Sequence, residues 1–334
     1  MRFGLALPHY DFSVPPPDRP ITFRRAAEVA RLAERLGFDS VWVSDHFLYT
    51  FARYGEPEPH YGSLEPLTTL AGIAALTERV RLGTLVLGAP FRHPSLLAKT
   101  VATLDSISGG RIDLGVGAGW LEDEFAAFGY RFGTVGDRFA ALEETLQVLE
   151  ALLDGVEASG TFGPVELKSA RLLPPPVQRP RPPVWVGGKG GPRLLRLAAR
   201  HADGWNLVWR ITPEDYAGKA GDVAAACDAE GRDPATFRRS VGLYGLIAED
   251  EASVAALWAR ARASMPGGAL DGESWEDWHA DTLSGTPDQV LDRVAAFEAL
   301  GVEELILSPW SLPFALPEPE MLEVVAERVI APLR

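Results

Sequence analysis

Short apolar runs rich in β-branched residues alternate, from one end of the chain to the other, with longer segments whose apolar positions recur every three or four residues. The short runs predict strands over Arg2–Pro8, Ser40–Val43, Arg81–Leu87, Ile112–Val116, Val184–Val186, Gly204–Val208, Val241–Ile247 and Leu305–Ser308. The longer segments predict helices over Thr22–Leu36, Pro94–Ser106, Arg138–Leu153, Arg193–His201, Pro213–Glu230, Pro287–Leu300 and Glu320–Ala331. Local punctuation agrees. Gly37 stands where a left-handed residue would stop the first helix, and Pro94 takes a first helical position. Thr212-Pro213-Glu214 and Thr286-Pro287-Asp288 each place a hydroxyl cap before proline and an acid.

Eight strands alternating with helices predict a parallel sheet, and eight is the number that closes a (β/α)8 TIM barrel. An open doubly wound sheet is the competing architecture, but the G-x-G-x-x-G it would carry after its first strand is absent. The chain is read as one α/β domain over 1–334 with two insertions. The first, near 156–183, is rich in glycine and proline. The second, near 264–284, is polar, holds Trp275 and Trp278, and reads as a loop or short helices. Insertions of this length are functional lids or decoration.

Charge narrows the partners. A formal net charge of −14 argues against nucleic acid or an anionic membrane. No apolar run approaches the ~20 residues of a membrane-spanning helix. MRFGLALPHY lacks the features of a secretory signal, and the lone Cys227 makes no internal disulfide, so the cytoplasm is the expected compartment. The charge is unevenly spread. No acid lies between Glu166 and Asp203, whereas Lys168, Arg171, Arg179, Arg181, Lys189, Arg193, Arg196 and Arg200 do. This basic island is either an anion site or a solvated face.

Catalytic groups of a barrel sit where its strands end, and four such ends hold candidate chemistry. SVWVSDHF delivers Asp45 and His46 to the mouth. His46 would serve as acid or base there; alternatively, Asp45 caps the next segment and His46 is structural. RLGTLVLGAPFRHP carries Gly83 and Gly88 inside a strand, the mark of a bulge, a nearby ligand or a closing bend. In LGVGAGWLEDEF, Gly115, Gly117 and Gly119 leave one face bare, for a flat ligand or for tight packing. VWVGGKGGPR brackets Lys189 with Gly187, Gly188, Gly190 and Gly191 before a helix start. Backbone N–H groups there, with Lys189 and Arg193, form a candidate phosphate cradle. The six histidines have no metal-ligand spacing, so no metal is expected, and there is no G-x-S-x-G elbow. Cys227 reads as packing.

These segments together resemble the luciferase-like monooxygenase superfamily, in particular its F420-dependent oxidoreductase branch. The likeness runs in order through FGLALP, LGFDSVWVSDHF, the stretch from Glu65 to Gly129, DRFAALEETLQVLEALLDG, PVWVGGKGGPRLLRLAARHADGWN and GTPDQVLDRVAAFEALGVEELILSPW. It implies a bacterial-luciferase-type barrel with a flavin or deazaflavin ring in the mouth. By resemblance, Asp45 approaches the hydroxyl side chain of the deazaflavin or the polar edge of its ring, and His46 is the catalytic acid or base. A non-prolyl cis peptide is implied at Leu85-Val86, behind the ring. The cofactor-binding set is then Asp45, Leu85, Val86, Leu87, Gly88, Gly117, Ala118, Gly119, Gly187, Gly188, Lys189, Gly190, Gly191 and Arg193.

Two departures bear on the substrate. Where F420-dependent glucose-6-phosphate dehydrogenases carry a glutamate after the fourth-strand glycines, this chain has Trp120; where they carry a tryptophan after the second strand, it has Thr50. Phe47, Tyr49, Phe91, Trp120, Trp209 and Trp310 would instead make an aromatic substrate pocket, or simply fill core and rim. The expected function is hydride transfer between coenzyme F420 and a small, largely apolar organic substrate. The basic island is consistent with F420, whose phosphate and polyglutamate tail need positive surface. The rivals are an FMN-dependent two-component monooxygenase and a non-catalytic flavin- or deazaflavin-binding barrel. A homodimer is the family expectation.

Overall fold

A computed structural model describes residues 1–334, the side chain of Pro57 excepted. Eight parallel strands close a barrel in chain order: β1 (Arg2–Ala6), β2 (Ser40–Val43), β3 (Arg81–Thr84), β4 (Ile112–Gly117), β5 (Val184–Gly187), β6 (Gly204–Trp209), β7 (Arg238–Tyr244) and β8 (Glu304–Ser308). Closure is made by β8 beside β1, with Phe3 opposite Leu305. Outside lie α1 (Phe23–Arg35), α2 (Pro66–Ala74), α3 (Pro94–Ser108), α4 (Glu122–Ala127), α5 (Val135–Leu153), α6 (Pro192–His201), α7 (Pro213–Ala229), α8 (Glu251–Ala263), α9 (Trp275–Asp281), α10 (Pro287–Ala299) and α11 (Met321–Val325). Among the described residues, no helix is long and apolar enough to cross a membrane.

The expected strands and barrel are present, with three informative differences. The third strand stops at Thr84 and resumes only as Leu87–Gly88; the peptide between Leu85 and Val86 is cis. Across this gap the Thr84 hydroxyl replaces ladder bonds, accepting from Gly115 N and donating to Gly115 O at 2.8 Å each. The seventh strand lies three residues earlier than expected, because Gly245–Ile247 leaves the barrel, Ile247 bridging Gly285. Helices α2, α4 and α8 were not expected; α8 buries a stripe of Val254, Leu257, Trp258 and Ala261, but exposed Ala252, Ala255, Ala256 and Ala259 blur it in the sequence, and α2 is apolar along most of its nine residues. Both insertions have structure. The first holds an antiparallel hairpin, Ala158–Phe162 with Val165–Ala170, and the second holds α9. A further hairpin, Leu48–Phe51 with Glu56–Gly62, rises over the mouth.

Side chains alternate across the sheet as the strand period requires. Phe3, Leu5, Val41, Val43, Leu114, Val116, Val184, Val186, Leu305 and Leu307 belong to the layer facing the helices. The inward positions are mostly small, polar or tryptophan, with Val208 and Ile306 as aliphatic exceptions. At the amino end, Glu304 accepts from Ser40 and pairs with Arg2 at 3.0 Å, while Asp113 pairs with Arg81 and accepts from Trp185 Nε1 at 3.2 Å. Above them Trp42 and Trp185 plug the barrel, 1% exposed each. Glycines make room for them: a Cβ on Gly83 would lie 2.1 Å from the Trp42 ring. Gly83→Ala is therefore expected to destabilise by about 1–3 kcal/mol, as overpacking of a filled core does. An unchanged urea midpoint would mean that Trp42 can move aside.

Candidate active site

The plug closes the barrel floor and leaves a cavity of about 530 Å³ at the carboxyl ends of the strands, within the range of small-molecule sites. Its wall brings together residues from β1, β2, the β3 bulge, β4, β5 and β6: Tyr10, Asp45, His46, Val86, Gly117, Gly188 and Val208 all line it.

His46 follows β2, and Glu124 stands in the first turn of α4. Glu124 Oε1 meets His46 Nδ1 at 2.9 Å, and its Oε2 accepts from Phe47 N at 2.9 Å. The glutamate side chain is 1% exposed. A carboxylate only accepts, so Nδ1 carries the proton and Nε2 is left as the ring's acceptor. No bond from the protein reaches Nε2 among the described residues, and His46 borders the cavity. One carboxylate thus fixes the tautomer, the ring and the backbone beside it.

Asp45 is engaged differently. Its Oδ2 accepts from Gly88 N at 2.9 Å and from Arg92, whose other terminal nitrogen reaches Asp45 Oδ1 at 2.9 Å and Glu65 Oε1 at 2.7 Å. Asp45 therefore ties the end of β2 to the resumed third strand, and both its oxygens are already occupied.

A buried polar chain runs beneath. His9 Nδ1 donates to Leu7 O at 2.8 Å, so Nε2 is an acceptor; it receives Ser44 N at 3.2 Å and lies 3.0 Å from Ser44 Oγ. Ser44 Oγ in turn bonds the Tyr10 hydroxyl. Burial pushes the His9 imidazole down to about 3, against the opposing pull of its bond to Leu7. Burial likewise pushes the Tyr10 phenol well above its ordinary value. Both groups stay neutral, and the chain positions rather than titrates.

The cavity floor is Val86. Added Cβ atoms on Gly117 and Gly187 would stand 2.7 and 2.6 Å from its methyl groups, and one on Gly115 would stand 2.9 Å away. The glycines of β4 thus make room for a side chain, and a planar ligand would rest on Val86 instead of on bare backbone. Beside it, Gly187, Gly188 and Lys189 form the edge towards α6; Gly190, Gly191 and Arg193 lie just beyond the lining. Gly188 N is taken by Asn206 O at 3.1 Å. The N–H groups of Gly190, Gly191, Arg193 and Leu194 make no hydrogen bond among the described residues. Lys189 Nζ donates to Val208 O at 3.0 Å.

The basic island does not form a free positive surface. Lys168 pairs with Glu166, Arg171 with Glu157, Arg181 with Asp203 and Asp154, and Arg196 and Arg200 with Glu230. Arg193 lies over the Phe139 ring, 4.9 Å from its centroid. Apart from Glu166, these acids are distant in sequence and have folded back onto the cations.

Of the expected pocket aromatics, Tyr49, Phe91, Trp120 and Trp209 line the cavity. Phe47 does not: it stacks on Phe128 and Tyr130 outside it. Trp310 does not either; it is buried, donating to Ser264 Oγ at 3.1 Å. Leu85, Leu87, Gly88, Ala118 and Gly119 reach the lining. Sequence reading overlooked Tyr10, Ser44, Arg53, Arg92, Glu124 and Asn206. The strand-end rule, applied to β1 as to the other strands, would have reached Tyr10. Glu124 had a fainter signal, the acid on the inner side of LEDEF beside Phe125.

The luciferase-like monooxygenase family matches residues 1–304. The F420-dependent glucose-6-phosphate dehydrogenase of Amycolatopsis mediterranei (strain U-32) is 37% identical over 187 residues, 54% of this chain and 52% of that protein, so the match spans about half of that relative's length. The FMNH(2)-dependent dimethylsulfone monooxygenase of Pseudomonas putida is 27% identical over 310 residues, 84% of this chain and 81% of that protein. The coenzyme F420-dependent tetrahydromethanopterin reductase of Methanopyrus kandleri shares the fold, with a TM-score of 0.77 at 22% identity over 100% of this chain and 99% of the other. A closed eight-stranded barrel, a cavity at the carboxyl ends of its strands and a family match over most of the sequence agree: the chain belongs to the luciferase-like monooxygenase family, whose members are F420- or FMN-dependent oxidoreductases.

Proposed function

We propose that the protein transfers a hydride between coenzyme F420 and a small, largely apolar organic substrate, with His46 exchanging the accompanying proton. The observation that carries this reading is the His46–Glu124 pair at 2.9 Å with Nε2 left free beside the cavity. Hydride transfer to a carbonyl, or from an alcohol, needs a partner for the oxygen-bound proton, and a held imidazole is such a partner.

The residues present fit a flavin-like group. Val86 offers a convex apolar floor, and the unbonded N–H groups of Gly190, Gly191, Arg193 and Leu194 at the start of α6, with Lys189, suit a phosphate. A deazaflavin bound there supplies a carbon that donates or accepts hydride. Asp45, with both oxygens committed, acts by holding the bulge. Tyr49, Trp120 and Trp209 exclude water from the substrate.

The second reading, an FMN-dependent monooxygenase, is favoured by the Pseudomonas putida relative and by the pairing of five island cations, since a single phosphate needs only Lys189 and the nearby backbone. Tryptophan quenching separates the two. Titration with F420 is expected to saturate at lower concentration than titration with FMN; binding of FMN without binding of F420 would reverse the order. The committed His46–Glu124 pair argues against a barrel that merely stores cofactor. The buried Cys227 suits a reducing cytoplasm. Exposed Leu96 and Ile107 on α3 offer an apolar face for a homodimer, measurable by sedimentation.

A further inference from the structure

The cavity carries positive charge that the protein does not neutralise. Its charged lining consists of Asp45, His46, Arg53, Glu124 and Lys189. Asp45 is paired with Arg92, and Glu124 is committed to His46. Arg53 and Lys189 have no carboxylate partner among the described residues, although the chain as a whole has a net charge of −14. The cofactor phosphate proposed above would match Lys189, which leaves Arg53 as the cavity cation still lacking an anion.

Arg53 is held in place. It sits at the tip of the hairpin over the mouth, within Ala52–Tyr54. The tip is pinned by the second insertion: Gly267 N donates to Glu56 Oε1 at 2.8 Å, and a Cβ on Gly267 would lie 2.1 Å from the Tyr54 carbonyl. The guanidinium carbon stands 4.6 Å from the Tyr54 ring centroid, 5.6 Å from Trp120 and 5.9 Å from Tyr49. Aromatic faces fix the plane of a guanidinium and leave its N–H edge free for a planar or tetrahedral oxyanion. Tyr49 and Trp120 are also the rings that flank His46, at 5.4 and 5.8 Å. The unmatched charge therefore lies one aromatic ring away from the proposed proton carrier.

Resting on the function proposed above, in which Lys189 meets the cofactor phosphate, we propose that Arg53 binds an anionic oxygen group, carboxylate or phosphate, on the substrate. The substrate is then an organic acid whose apolar body lies among Tyr49, Trp120 and Trp209 with its charged end at the hairpin. Burial lowers the Lys189 ammonium from its ordinary value and the charge of Arg53 lowers it further, a repulsion that a bound anion relieves. The same chemistry is carried by the tail of a cofactor, and the experiment has an arm for each source.

Intrinsic tryptophan fluorescence of the cofactor-free protein is titrated with 3-phenylpropanoate, with its neutral carboxamide and with inorganic phosphate. F420, FMN and phosphate-free riboflavin are titrated in parallel. The carboxylate is expected to bind at least about tenfold more tightly than the amide, the scale of a charge-assisted contact. Arg53→Gln should erase that preference, Arg53→Lys should keep part of it, and F420 and FMN affinities should stay within about twofold. Unchanged circular dichroism and melting temperature in both variants confirm that they are folded. Loss of F420 or FMN affinity with the carboxylate preference intact would assign the anion to the cofactor and overturn the substrate assignment. No preference in the wild type, or one untouched by Arg53→Gln, would overturn the subsite itself. Failure of the wild type to bind either cofactor would sink the hydride-transfer reading while leaving the carboxylate result standing.

Discussion

His46→Ala is expected to lower kcat/KM by about 10²- to 10⁴-fold, the usual contribution of a positioned acid or base, while cofactor affinity changes little. Added imidazole should restore part of the rate, since the cavity beside the missing ring is open to small molecules. Glu124 acts through His46, so its role is read from coupling rather than from loss alone. Glu124→Gln should reduce kcat more than it raises KM, because the amide no longer supplies two accepting oxygens to His46 Nδ1 and Phe47 N. The double variant should be scarcely slower than His46→Ala, the non-additivity of groups that work as one unit. If the two losses multiply, Glu124 serves something other than the imidazole, and the proton-exchange role of the pair falls.

Acid should loosen the protein through His9. The folded-state imidazole has been pushed down to about 3 from its ordinary 6.5. Between those values the unfolded chain binds a proton that the folded chain refuses. The contribution of His9 is therefore fully present above about pH 6.5, declines as pH falls and is exhausted near pH 3. Full loss is on the order of 5 kcal/mol, enough to matter against a marginal total. His9→Asn keeps a donor near Leu7 O but cannot charge. Its stability deficit relative to wild type, from urea midpoints, should shrink by about 2–3 kcal/mol between pH 7 and pH 4.5. Parallel curves for the two proteins would show that the imidazole is not the titrating group. The same charging would break the acceptor role of Nε2 towards Ser44, so Tyr10 would lose its anchor in the cavity wall.

Some of the candidate site could be read before folding was considered. The strand-end rule reached Asp45 and His46, and the glycine clusters marked the bulge, the β4 wall and the β5 loop, because each is a local departure from an otherwise regular repeat. What those residues touch could not be read. Asp45 as a ring ligand and Asp45 as a strut for Gly88 and Arg92 have the same sequence. The bare glycine face of β4 reads as a bed for a ligand until Val86 is seen to fill it. Trp310 and Phe47 share the composition of the pocket aromatics but face other cores. The basic island is a cluster only along the chain; in space its arginines meet Asp154, Asp203 and Glu230.

The sequence alone determined most of the repeat: eight strands and the helices α1, α3, α5, α6, α7, α10 and α11, since the periods of strand and helix are properties of neighbouring residues. Tertiary structure alone decided which charges are spent and which remain. His46 meets Glu124 across 78 positions, and Ser40 meets Glu304 across 264. Such pairs form only when barrel closure brings distant strand ends to one rim. No local pattern encodes them, and so the free nitrogen of His46 and the unmatched charge of Arg53 become visible only in the folded chain.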